Sequence, residues 1–175
     1  MCVSTHLSST EVWDAVAIGF SDIERDAWGG FLATYSRVTR VVEADLMEHS
    51  RITHVEFEVL LRLWTEPGRR LRMQDLAARS LLTRSGVSRA VERLERAGLI
   101  RREEAHEDRR GAWAVLTDAG SKRFRAAART HVPLVRRVFL DLFTDQELEA
   151  LAAGWQRVGQ HLEQAQSEKA GPNHK

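Results

Sequence analysis

The sequence predicts a mainly α chain, α+β only around its middle, and three observations carry that prediction. Apolar residues recur at three- and four-residue spacing through most of the chain. Two short β-type runs flank a single polar, turn-forming stretch. Thr-x-x-Glu starts and glycine stops punctuate the apolar segments where helices should begin and end.

Residues 1–22 are weakly patterned and read as an N-terminal extension, with a short helix expected over Glu11 to Phe20. From Ile23 onward Trp28, Phe31, Leu32, Tyr35, Val38, Val42 and Leu46 form one apolar face of a long helix over 23–50. Glu24 and Asp26 sit near its positive N-terminal end. Thr53-His54-Val55-Glu56 is a capping box. The second helix it opens should turn Phe57, Leu60, Leu61 and Trp64 inward and stop at Pro67-Gly68. Arg70-Leu71-Arg72 is short and extended. Met73, Leu76, Ala77 and Leu81 then mark a third, short helix without a recognisable N-cap.

Thr83 caps a fourth helix through Val87, Val91 and Leu94, and Gly98 follows where a left-handed residue is favoured. Leu99 to Arg102 and Ala112 to Leu116 are the strands of a hairpin with a charged tip. Thr117 caps a fifth helix, expected to reach Phe143 with a kink or break at Pro133. Thr144 to Glu147 is another capping box, opening a last helix on Leu148, Leu151, Trp155, Val158 and Leu162. Residues 167–175 are expected to be a disordered tail.

Two short helices joined by very few residues and followed by a hairpin make a winged helix-turn-helix lobe, here 51–117, with a two-stranded wing. The long helices over 23–50 and 118–166 carry wide apolar faces, so they are expected to pair with a second copy as a dimerisation region.

Composition narrows the function classes. A chain of 175 residues, 43% hydrophobic and 29% charged, is a folded domain of ordinary size. It holds no apolar stretch long enough for a membrane span and no basic signal-peptide start, so a cytoplasmic location is expected. The single cysteine, Cys2, excludes an internal disulfide. The seven histidines show no metal-ligand spacing, although His49 and His54 bracket one turn and are placed to meet. No nucleophile-base set, glycine-rich phosphate loop or paired-carboxylate motif stands out, so neither catalysis, a cofactor nor a metal is expected. Net charge is only +1, yet Arg69 to Arg110 holds twelve arginines against seven acids, leaving −4 for the rest. A basic middle between acidic flanks suits a polyanion, and arginine suits nucleic acid in particular. Arginine-rich codon usage explains the same bias.

The wing reads Asp108-Arg109-Arg110-Gly111-Ala112-Trp113-Ala114-Val115-Leu116-Thr117-Asp118-Ala119-Gly120. This resembles the signature of the MarR family: an Asp-x-Arg tip followed by a strand ending in Leu-Thr-x-x-Gly. Leu76-Ala77, the run Arg93 to Ile100 and the element order over about residues 25–165 are similar to that family as well. The resemblance implies a triangular dimer with intertwined terminal helices and two winged lobes, each docked on one DNA half-site. It further implies a fourth helix in the major groove and a wing tip in the minor groove. Many family members repress efflux, catabolic or stress genes and release DNA on binding phenolic or other anionic ligands. This chain departs in its N-terminal extension and in lacking the first-helix cysteine of the peroxide-sensing branch, which argues against thiol sensing.

The expected function is therefore a sequence-specific regulator, in the repressor mould, binding a pseudo-palindromic double-stranded DNA operator as a homodimer. A winged-helix module that binds protein instead is the alternative. On the fourth helix Thr83, Arg84, Ser85, Ser88, Arg89 and Arg93 lie off the apolar face. An arginine there can take O6 and N7 of a guanine, worth about 1–3 kcal/mol of discrimination. Hydroxyls near the helix start suit phosphate, and Gly86 allows close approach. At the tip, Arg110 suits a narrow minor groove, Asp108 would orient it, and Arg109 and Arg101 suit phosphates. Trp28, Tyr35 and Trp64, with Phe31 and Phe57, are candidates to line a pocket for a small aromatic or anionic effector. A packed core accounts for the same residues.

Overall fold

The computed structural model describes residues 19–80, 84–104 and 111–170. By internal contacts the chain forms two compact units, Met1–His131 and Val132–Lys175.

The first unit opens with helix α1, Asp22–Ser50. Its start is one residue earlier than periodicity alone places it, because Ser21 and Glu24 form a capping box. Most of the helix expected over Glu11 to Phe20 lies outside the described residues; Gly19 and Phe20 at its end are not helical. Arg51, left-handed at φ 50°, turns the chain into helix α2, His54–Thr65, which the expected Thr53–Glu56 box caps. A 3-10 turn, Pro67–Arg69, leads to strand β1, Arg70–Arg72, and directly to helix α3, Met73–Arg79. Arg72 occupies the N-cap of α3 and offers no capping side chain, which is why the sequence shows no cap there. Helix α4 spans Arg84–Arg96; the expected cap, Thr83, lies outside the described residues. Gly98, at φ 70°, ends α4 in the left-handed conformation expected of it. Strands β2, Ile100–Glu104, and β3, Ala112–Leu116, follow.

β2 and β3 form the expected two-stranded wing, and β1 extends it into a three-stranded sheet in the order β1-β3-β2. β1 pairs antiparallel with β3, Leu71 opposite Ala114, while Ile100 of β2 faces Leu116. A three-residue strand is too short to show its own periodicity, so only the pairing reveals it. Core side chains come from α1 to α4 and β2: Leu46, Leu60, Leu63, Leu76, Val87, Val91, Leu94 and Ile100 are wholly buried. On α2 the buried set is Phe57, Val59, Leu60 and Leu63, whereas Leu61, expected inside, is exposed. α2 is nearly surrounded, so its inner face is wider than one amphipathic stripe.

Helix α5, Asp118–Val138, spans the junction of the two units. It is helical through Pro133 but stops short of the expected Phe143, giving way to a 3-10 turn at Leu140–Leu142. In the second unit helix α6, Asp145–Ala170, begins at the expected Thr144–Glu147 capping box. It continues beyond residue 166, so its last turn occupies part of the segment expected to be a tail.

Candidate nucleic-acid interface

Helix α4 has two unlike sides. Val87, Ala90, Val91 and Leu94 are buried at 3- and 4-residue spacing and hold the helix against α2 and α3. Ser85, Arg89 and Arg93, each four residues from the next, form an exposed row on another side, with Ser88 half-buried beside it. Arg84 is the first helical residue.

The row is not uniform. Arg89 has no ion-pair or hydrogen-bond partner among the described residues, so its guanidinium is available for an incoming anion. Arg93 is different: its Nε donates to Oε1 of Glu56 at 2.6 Å, and the Glu56 side chain is 10% exposed. Arg93 keeps its expected place on the outer side of α4 but carries an intramolecular partner. Thr83, Asp108, Arg109 and Arg110 lie outside the described residues.

The arginines of the basic middle divide in the same way. Arg79 pairs with Glu66 at 2.7 Å, Arg101 with Glu103 at 2.6 Å, and Arg102 with Glu95 at 3.3 Å. Arg69 donates to the Ser121 hydroxyl at 2.9 Å and lies over the Trp64 ring. Arg70 and Arg72 each sit 4.6 Å from the centre of the Trp113 ring, joining β1 to β3 by cation–π contact. Among its described residues this net basic segment therefore holds few uncommitted cations, a distinction that charge counting cannot make.

Trp28, Phe31 and Tyr35 form a row on α1, ring centres 5.7 and 6.3 Å apart, with Trp28 and Tyr35 exposed. Trp64 belongs to a different group: its ring and that of Phe57 each lie 5.4 Å from Phe124 of α5. The aromatic candidates thus fall into two sets on different elements of the first unit.

His54 faces His131 rather than His49, with ring centres 6.4 Å apart, while Nδ1 of His49 lies 3.1 Å from the Asp45 carbonyl oxygen. Burial first, and the neighbouring His54 second, push the His131 pKa down, against the opposing pull of Asp45. Among the described residues no three histidine, cysteine or acidic side chains are grouped to hold a metal. No described helix is long and apolar enough to cross a membrane.

Three features had weak or no sequence signals. Glu56 was visible only as a helix cap. Trp113 carried no hint of its two arginines beyond their alternation around Leu71. Gly120, part of the quoted signature, has a packing role described below.

A short helix pair feeding a three-stranded wing, with an exposed hydroxyl-arginine row on the second helix, defines a winged helix-turn-helix protein. The MarR family model matches residues 52–111. The Bacillus subtilis HTH-type transcriptional regulator YkoM is 30% identical over 117 residues, covering 67% of this chain and 74% of that protein. Two Streptomyces coelicolor crystal structures of MarR family transcriptional regulators are similar over most of the chain. AbsC shares 36% identity at a TM-score of 0.78, covering 82% of this chain and 97% of its own. Sco3205, solved in complex with DNA, shares 33% identity at a TM-score of 0.79, covering 82% and 93%. The chain belongs to the MarR family of transcriptional regulators, which are not enzymes.

Proposed function

We propose that this chain is a sequence-specific double-stranded-DNA-binding regulator that acts in the cytoplasm as a homodimer on a pseudo-palindromic operator, in most settings as a repressor. The carrying observation is Arg89: a cation without a partner among the described residues, exposed on a helix whose opposite side is wholly buried. Sco3205, a third identical and alike in fold, has been crystallised in complex with DNA, which supports a DNA-binding reading here. In this reading Thr83, Arg84, Ser85, Ser88 and Arg89 face the major groove, and Asp108, Arg109 and Arg110 serve the wing tip. Arg93 supports them from its bond to Glu56.

Dimerisation is supported by apolar side chains left exposed on each terminal helix: Trp28, Phe31, Leu32 and Tyr35 on α1, and Trp155, Val158 and Leu162 on α6. A small aromatic or anionic effector that lowers DNA affinity completes the proposal. Trp64, with Arg69 4.4 Å and Arg125 5.7 Å from its ring centre, is the best placed of the aromatic candidates. Trp28 and Tyr35 fit a subunit interface. A winged-helix module for protein binding would need an apolar or acidic outer row on α4, and Ser85, Ser88 and Arg89 supply neither.

The deciding experiment is selection of bound sequences from a random duplex pool, followed by titration of the winning duplex at several salt concentrations. The proposal expects an inverted repeat with half-sites about one helical turn apart and a steep fall of affinity with salt. Failure to enrich any sequence, with no retention of duplex at low salt, would overturn it.

A further inference from the structure

The Glu56 carboxylate is shared between two helices. Its Oε2 accepts the Thr53 backbone N–H at 2.9 Å, closing the capping box of α2, while its Oε1 accepts Arg93 Nε at 2.6 Å. Both the residue and its cap are thus built into the first turn of α2, where Glu56 is 7% exposed. That turn is itself tied down once more, where Glu43 of α1 accepts the His54 N–H at 2.7 Å. The end of α1 just before it is held by Arg123 of α5, which donates to the Ser50 carbonyl at 2.6 Å.

Apolar packing alone leaves α4 a soft degree of freedom. The Val87, Ala90, Val91 and Leu94 side chains hold the helix down, and Glu95 ties its far end to Arg102, but burial itself is non-directional and fixes the roll less sharply than a hydrogen bond does. A short, charge-assisted hydrogen bond from a fixed carboxylate is directional. Arg93 shares its row with Ser85 and Arg89, so fixing Arg93 fixes the angle at which those two are presented.

We propose that Glu56 and Arg93 are a positioning pair: the carboxylate sets the roll of α4, and with it the register of Ser85 and Arg89 against base edges, while Arg93 itself reads no base. This rests on the DNA-binding reading above. Sequence-specific contacts tolerate displacements of well under an ångström, whereas attraction to phosphate depends mainly on charge. Loss of the pair therefore degrades specificity and leaves non-specific binding nearly intact.

The test compares the full-length wild type, Glu56→Gln, Arg93→Met and the double variant. Probes are the duplex selected by the wild type and a random-sequence duplex of equal length, each titrated at several salt concentrations. Glutamine keeps a carbonyl oxygen for the Thr53 N–H but turns an amide toward Arg93, so the cap persists while the pair is lost. The expected result is about a tenfold weaker Kd for the selected duplex in either single variant. The double variant should be no worse than the singles, and random duplex should change less than about twofold, with the salt slope unchanged.

The sign is diagnostic, because removing a carboxylate by simple electrostatics tightens DNA binding. Unchanged or tighter binding by Glu56→Gln, or a salt slope lowered by about one in Arg93→Met, would show that Arg93 is a phosphate contact and overturn the proposal. Equal loss on both probes by a folded variant would also overturn it, since the pair would then serve binding in general and not the reading of sequence. If Glu56→Gln does not fold, Arg93→Met still decides, because Arg93 is half exposed and its apolar replacement disturbs no core. A wild type that retains no duplex removes the DNA-binding reading itself, a result separate from all of these.

Discussion

Gly120 packs directly against the backbone of Leu99: a Cβ placed on Gly120 would stand 2.0 Å from the Leu99 carbonyl oxygen and 2.7 Å from Cδ1 of Leu116. The same carbonyl accepts the Thr117 N–H at 3.1 Å, and the Thr117 hydroxyl accepts the Gly120 N–H at 3.0 Å. The Leu-Thr-x-x-Gly run is thus a clasp that seats the start of α5 on the start of β2. Gly120→Ala has to push the helix away from a backbone atom that cannot rotate aside. It should destabilise the protein by about 1–3 kcal/mol, as overpacking does, read as a lower urea midpoint. A midpoint equal to wild type would show that the clasp yields freely.

Thr53→Ala should cost about 1 kcal/mol, the usual value of an N-cap hydroxyl. The Thr53 side chain accepts the Glu56 N–H at 3.1 Å, and alanine leaves that donor without its partner. Thr53→Ser should restore most of the loss in the same denaturation assay. Equal stability of the alanine and serine variants would assign the helix start to some other interaction.

Arg89→Ala separates binding from folding. With no partner among the described residues to lose, its stability should stay within about 0.5 kcal/mol of wild type. Its affinity for duplex should fall, and if Arg89 contacts a phosphate the slope of log K against log salt should shrink by about one. Affinity and slope both matching wild type would remove Arg89 from the interface.

His131 makes stability pH-dependent. Its folded pKa lies below the ordinary 6.5 because burial and His54 oppose its charge. The unfolded chain therefore takes up a proton more readily than the folded one. The stability from neutral His131 is complete above the unfolded pKa and is lost as pH falls through 6.5 toward the folded value. His131→Gln should lose less stability than wild type between pH 7.5 and pH 5.5 in chemical denaturation. An equally steep acid loss in the variant would place the pH dependence elsewhere.

Much of the fold was legible because helix signals are local. Capping boxes at Thr53 and Thr144 span three residues, and Gly98 acts through its own backbone dihedral. Long helices declare themselves by repetition, so α1, α4 and α6 were recognisable over most of their lengths. Their ends were harder: α5 stops at Val138 and turns into a 3-10 segment, although apolar residues continue past it.

The candidate site was legible as a set of residue types but not as a set of free groups. Arg89 and Arg93 are the same residue, four apart on one helix, and no local rule tells them apart. The difference is a carboxylate 37 residues away in sequence. Likewise, five aromatics at plausible spacing read as one pocket, while folding sends Trp28 and Tyr35 to a row on α1 and Trp64 to Phe124.

By itself, then, the sequence determined most of the helices, the caps at Thr53 and Thr144, the wing's two main strands and the family signature, because each arises from interactions between residues a few positions apart. Tertiary structure alone decided that β1 joins the wing, that Gly120 must remain bare beneath Leu99, and which arginines are left unspent. Those outcomes depend on which distant groups meet and desolvate one another, and the chain's local pattern holds no record of that.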